Sequence, residues 1–106
     1  MQKLKNDPTL KDYQTYVAEM VQERGFDKET ISDVFMLFLE ECGELAKAAR
    51  KSAGLHVDAR SDRFDLEHEA ADVFIYLLDI CNHFNVDLEK AFRSKEELNS
   101  KRVWTK

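Results

Sequence analysis

Residues 66–84 restrict this 106-residue chain more than any other stretch. Leu66, Ala70, Val73, Leu77, Ile80 and Phe84 step by four and three along one line, and Ala71, Phe74, Leu78 and Cys81 along a second. That period is helical, and a helix apolar over most of its circumference belongs at the centre of a bundle. Its main polar line is Glu69, Asp72, Tyr76, Asp79 and His83. Carboxylates on such a helix are costly unless they are paired, protonated or bound to a metal. The fold has to surround this segment with other helices and also supply something that its acids can bind.

The flanking sequence supplies the helices. Thr9 is an N-cap for a helix over about residues 10–24, with Asp12 three residues on and Gly25 as the stop. Its apolar stripe is Leu10, Tyr13, Val17, Met20 and Val21. A second helix is expected from Asp27 or Lys28 to about Ala53, where Gly54 ends it. The polar loop LHVDARSDRF leads into the third, at about residues 66–84. NVD then breaks the chain, and Asp87 caps a fourth helix running to about Lys101. No segment alternates long enough to compete as a strand, and three glycines and one proline leave little punctuation. Residues 1–106 therefore read as a single all-α domain.

The second helix has two seams. One is Ile31, Phe35, Phe38, Cys42, Leu45 and Ala49; the other is Val34, Leu37, Glu41, Glu44 and Ala48. Four helices of this length can hardly cover these seams and the third helix as well. The expected architecture is a four-helix bundle completed by homo-oligomerisation, as a homodimer or a tetramer built as a dimer of dimers.

A net charge of −5 argues against a nucleic-acid polymer or an anionic membrane as an electrostatic partner. No apolar run approaches the roughly 20 residues of a membrane span, and no signal-peptide pattern occurs, so the expected compartment is the cytoplasm. Cys42 and Cys81 form no ligand set and read as buried free thiols.

The chemistry lies in the acids. Glu41 and Glu44 share a helical face, as do Glu69 and Asp72, while Glu40 lies at the rim of the first pair. Two such pairs on packed helices converge four carboxylates, and their repulsion is relieved by a hard divalent cation. All-oxygen ligation favours Mg²⁺ or Mn²⁺ over zinc. On the fourth helix, Lys95, Asn99 and Arg102 lie on one line and suit phosphate oxygens.

EECGE followed by EAAD, with 24 residues between Glu44 and Glu69, resembles the EExxE…ExxD signature of the MazG-like nucleotide pyrophosphohydrolases. DVFIYLL, KEELN and NSKR resemble that family's Tyr and its Lys…Asn…Arg run. The resemblance implies a Mg²⁺-dependent hydrolase of the all-α NTP pyrophosphatase superfamily, with Mn²⁺ as a substitute, cutting a nucleoside triphosphate to the monophosphate and pyrophosphate. It implies Glu41, Glu44, Glu69 and Asp72 as metal ligands and Glu40 as an outer ligand or the group orienting water. Tyr76 would border the base or sugar, and Lys95, Asn99 and Arg102 would hold phosphates or the nucleoside. It also implies the same oligomeric assembly.

Two rivals remain at this level. A ferritin-like di-metal carboxylate bundle would use Glu-x-x-His pairs, and the nearest approach here is Asp65-x-x-His68. A non-catalytic helical module would keep the metal site for assembly. Asp79 and His83 are expected to satisfy each other, and His56 and His68 to face solvent. Arg60 and Arg63 belong to the loop, and Trp104 to packing or an interface. Tyr13, Gln14 and Tyr16 are first-helix candidates for substrate selection.

Overall fold

The computed structural model describes residues 3–54 and 65–105. Among them are four α-helices: α1 (Leu10–Glu23), α2 (Ile31–Ser52), α3 (Asp65–His83) and α4 (Leu88–Ser100). No strand occurs among the described residues, so the all-α expectation holds.

Local chemistry sets most of the boundaries. The Thr9 hydroxyl accepts from Asp12 N–H while the Asp12 carboxylate accepts from Thr9 N–H, a reciprocal capping box. Gly25 follows the helix at φ 76°, a left-handed conformation that glycine adopts without a Cβ penalty. The second helix starts later than expected from Asp27 or Lys28. A single 3-10 turn occupies Phe26–Lys28, and Thr30 with Asp33 repeats the capping box to open α2 at Ile31. The third helix ends at Asn85, φ 55°, with Val86 N–H reaching back to the Cys81 carbonyl at 2.9 Å. This is a Schellman-type stop with Asn in the glycine position. Asp87 then caps α4 through Lys90 N–H.

α3 is the central element and packs chiefly on α2 and on α1. Val17, Met20 and Leu78 form the buried cluster between α1 and α3, with Leu78 fully enclosed. Tyr13 packs edge-on against Phe74, ring centroids 5.5 Å apart. On α2 the seam containing Val34 and Ala48 is the buried one. Its partner seam stays more open, with Phe35 and Ala49 exposed. Cys81 is buried and Cys42 half-buried, and both are free thiols.

Gln14 ties the bundle to the start of α4. Its Nε2 donates to Asn82 Oδ1 (3.1 Å) and to the Val86 carbonyl (2.8 Å), and its Oε1 accepts from Leu88 N–H (2.9 Å). Asn82 Nδ2 completes the ring by donating to the Gln14 carbonyl at 2.9 Å. α4 leaves this clamp with α1 as its principal neighbour. Phe92 and Leu98 on α4 are exposed, as are Met36 and Leu39 on α2 and Phe84 at the end of α3. A single copy leaves much of its apolar surface uncovered.

Candidate active site

Glu41 and Glu29 show how α2 and α3 run past each other. Glu41 meets Glu69 and Asp72 at the start of α3, whereas Glu29, just before α2, acts on Tyr76 further along it. The two helices are antiparallel, and an i, i+3 pair on α3 presents both acids to one point on α2. Glu41, Glu69 and Asp72 each offer one carboxylate oxygen, and these oxygens lie within 4.8 Å of one another.

The convergence costs free energy, and the carboxyls register it. Glu41 is pushed up to about 7, first by loss of solvent, then by its contact with Glu69 and by the negative charges of Asp72, Glu69 and Glu40. Glu69 Oε2 is buried and has no hydrogen-bond partner among the described residues. A buried acceptor left over in a cluster of acids calls for a cation. The oxygen-only donor set fits a hard divalent ion, which would supply the positive charge that these acids lack. The cluster contains no histidine, and His68 is exposed, so the geometry gives the ferritin-like alternative no Glu-x-x-His pair.

The remaining expected residues fall in several places. Glu44 is exposed and stands outside the group of three. Glu40 is exposed beside the cluster and contributes to its negative potential. Tyr76 is half-buried one turn beyond Asp72, and its hydroxyl is raised by burial and then by Glu29, Glu41, Asp72 and Asp79.

Lys95 and Arg102 are exposed on or just after α4, and Arg102 lies over the Trp104 ring at 5.8 Å. Asn99 Nδ2 donates to Glu96, while its Oδ1 is buried without a partner among the described residues. Because α4 packs chiefly on α1, these three are not brought to the carboxylates by packing of α4 on α2 or α3 in the same chain.

Beside the acids lies a cleft of about 130 Å³ that sequence reasoning missed in part. Met20, Val21 and Ile75 give it an apolar side, and Phe26 and Tyr76 an aromatic one. Arg24, Glu29, Asp72 and Asp79 are its polar lining. Arg24, Phe26 and Glu29 come from the α1–α2 turn, which folds back over α3. The available signal was the Thr30–Asp33 box, a copy of Thr9–Asp12 that marks residues 25–29 as a separate turn.

Asp79 is 8% exposed and burial raises its carboxyl, opposed by His83, whose Nε2 stands 3.6 Å from Oδ1. The two expected partners stand side by side, at a distance too long for a charge-assisted hydrogen bond. Of the first-helix candidates, Tyr13 and Tyr16 pack against the core cluster and Gln14 forms the clamp. His56, Arg60 and Arg63 lie outside the described residues.

Fold and site together define a MazG-like, all-α helical frame with carboxylates clustered between two antiparallel helices. Residues 10–99 match the family described as phosphoribosyl-ATP pyrophosphohydrolase, and the chain belongs to that family, within the all-α NTP pyrophosphatase superfamily. It is 30% identical over 101 residues to dCTP pyrophosphatase 1 of Homo sapiens, covering 91% of this chain and 59% of that protein. The Rattus norvegicus protein of the same name is 29% identical with the same coverage. The chain thus spans about three fifths of the length of these curated relatives. It is also 30% identical over 96 residues to the dATP/dGTP diphosphohydrolase of Salmonella phage PMBT28, covering 91% of this chain and 28% of that one. In solved structures, the Bacillus subtilis protein YPJD, described as a candidate pyrophosphatase, superposes with a TM-score of 0.75. That match is 24% identical and covers 92% of this chain and all of the other.

Proposed function

We propose that this protein is a Mg²⁺-dependent nucleoside triphosphate pyrophosphohydrolase, converting an NTP or dNTP to the monophosphate and pyrophosphate, with Mn²⁺ as an alternative ion. One observation carries the reading. Glu41, Glu69 and Asp72 converge with an unpartnered Glu69 oxygen, and Asp72 also lines a cleft whose walls include Phe26 and Tyr76. Acids that gather a divalent cation beside a cleft with aromatic walls suit a ligand that is polyanionic at one end and planar at the other. The relatives named as dCTP pyrophosphatase and dATP/dGTP diphosphohydrolase support this choice of substrate class.

In this reading Glu41, Glu69 and Asp72 would hold the ion, with Glu44 and Glu40 at the rim. The ion supplies charge neutralisation of the phosphates and acidifies water. Glu40, exposed beside the cluster, would be an outer ligand or the group that orients the attacking water. Tyr76 borders the sugar or base. Lys95, Asn99 and Arg102 hold phosphates and come from the α4 of a neighbouring copy, since α4 of the same chain follows α1. The uncovered apolar residues on α2, α3 and α4 support a homodimer or a tetramer built from dimers. A cytoplasmic role in cleaning the nucleotide pool would follow.

A panel of deoxy-, ribo- and modified triphosphates assayed for pyrophosphate release tests the activity, with Glu41→Gln as the control. Release from at least one triphosphate, lost in Glu41→Gln, supports the reading; no release from any of them with Mg²⁺ present favours the non-catalytic module. Hydrolysis in oxygen-18 water locates the attack. Label in the monophosphate is the expected result, and label in pyrophosphate refutes attack at the α-phosphorus.

A further inference from the structure

We infer that Asp79 selects the base: its carboxylate, on the wall of the cleft, accepts a hydrogen bond from the exocyclic amino group of cytosine or adenine and disfavours uracil and thymine. This rests on the proposed function, in which a nucleotide lies across the acidic cluster and the cleft.

Three observations place Asp79 in that role. The residue is buried, with its side chain 11% exposed, yet it lines the same cleft as Asp72 and Tyr76. Its contact with His83, at 3.6 Å, is too long for a charge-assisted hydrogen bond. Arg24 lines the cleft too but forms no ion pair with it among the described residues. A carboxyl so enclosed gains from a donor that enters the cleft.

Position along α3 fits a nucleotide. Asp79 lies seven residues past Asp72, two turns on the same face, or about 10 Å of helix. Phosphates held near Asp72 leave the sugar beside Tyr76 and the base edge beside Asp79. Phe26 and Tyr76 give the base aromatic neighbours. Cytosine and adenine carry an amino donor at the edge where thymine and uracil carry a carbonyl acceptor. An acceptor facing a buried carboxylate leaves both without a proton between them, so the pyrimidines that differ least in shape should differ clearly in rate.

The test compares kcat/KM for dCTP and dUTP on one preparation, so that the ratio does not depend on the fraction folded. Wild type should prefer dCTP by roughly tenfold or more. Asp79→Asn, whose amide can turn either group to the base, should bring the ratio close to one. His83→Gln keeps the carboxylate and should keep the preference. Calorimetric binding of dCMP and dUMP gives the same comparison without turnover. An unchanged ratio in Asp79→Asn, or equal use of both substrates by wild type, overturns the inference. If no triphosphate is cleaved, the proposed activity fails, and the dCMP-to-dUMP binding ratio alone decides for or against Asp79.

Discussion

Gln14 and Leu88 are joined across 74 residues of sequence by a 2.9 Å hydrogen bond from the Leu88 N–H to Gln14 Oε1. The donor is at the first residue of α4, where helix geometry leaves N–H groups without partners. The same amide side chain satisfies the Val86 carbonyl and Asn82. One buried residue thus satisfies the turn between α3 and α4 and fixes the direction in which α4 departs.

Replacing Gln14 by Leu should therefore be costly although the side chains are close in size. It removes bonds to three groups and leaves part-buried ones unsatisfied, at about 2–4 kcal/mol in all. For a domain of this size that corresponds to a fall in melting temperature of at least about 10 °C. A loss below about 1 kcal/mol in a denaturant titration would show that the clamp contributes little.

The acidic cluster makes the metal-free protein sensitive to pH in a definite direction. Glu41 binds its proton more tightly when folded, about 7 against the ordinary 4.5 of a free glutamate. Between those values the folded state holds more protons than the unfolded state, so stability is greatest below about 4.5 and falls as the pH rises through about 7. Asp79, also raised by burial, acts in the same sense. Thermal melts in chelator across this range should show the decline, and Glu41→Gln should flatten it. A melting temperature that rises with pH over the same interval would contradict the cluster's geometry.

Adding divalent cation should reverse that effect. At low salt, Mg²⁺ at a hundred times its dissociation constant stabilises a preformed site by about 2.7 kcal/mol. The expected result is a rise of about 10 °C or more in melting temperature, smaller at high salt and abolished in Glu69→Gln. No shift at millimolar Mg²⁺ would count against a site already assembled in the folded chain.

The open face of α2 should govern assembly. Met36 and Leu39 are each about two-thirds exposed at 64% and 65%. Leu39→Asp should shift the protein toward monomer in light scattering while leaving its helical circular dichroism intact. If α4 acts on a neighbouring copy's carboxylates, mixing Glu41→Gln with Arg102→Ala should restore part of the activity that each lacks alone. A mixture no more active than its components would place α4 outside the site.

The sequence was most legible where interactions are short in range. Thr9 with Asp12, Gly25, Gly54 and Asp87 act within three or four residues of themselves, and the structure uses each as expected. Glu41, Glu69 and Asp72 were legible because helical spacing and an apolar setting both pointed to them. The limits were tertiary. Spacing put Glu44 in the seam with Glu41, yet its side chain is exposed and lies outside the group of three. Arg24, Phe26 and Glu29 reach the cleft only because the turn folds over α3, and no periodicity in the chain announces that. Lys95, Asn99 and Arg102 share a face by spacing, yet where α4 lies is decided by the Gln14 clamp.

The turn from Arg24 to Lys28 is exposed throughout, and its side chains carry none of the buried core, yet two of them line the cleft. Apart from Gly25, whose left-handed backbone favours glycine, residues there can be exchanged with little penalty to folding, while the fully buried Leu78 and Val34 cannot. A frame built this way separates what keeps it upright from what chooses its cargo, so new preferences can arise by drift in four positions around Gly25 without rebuilding the scaffold.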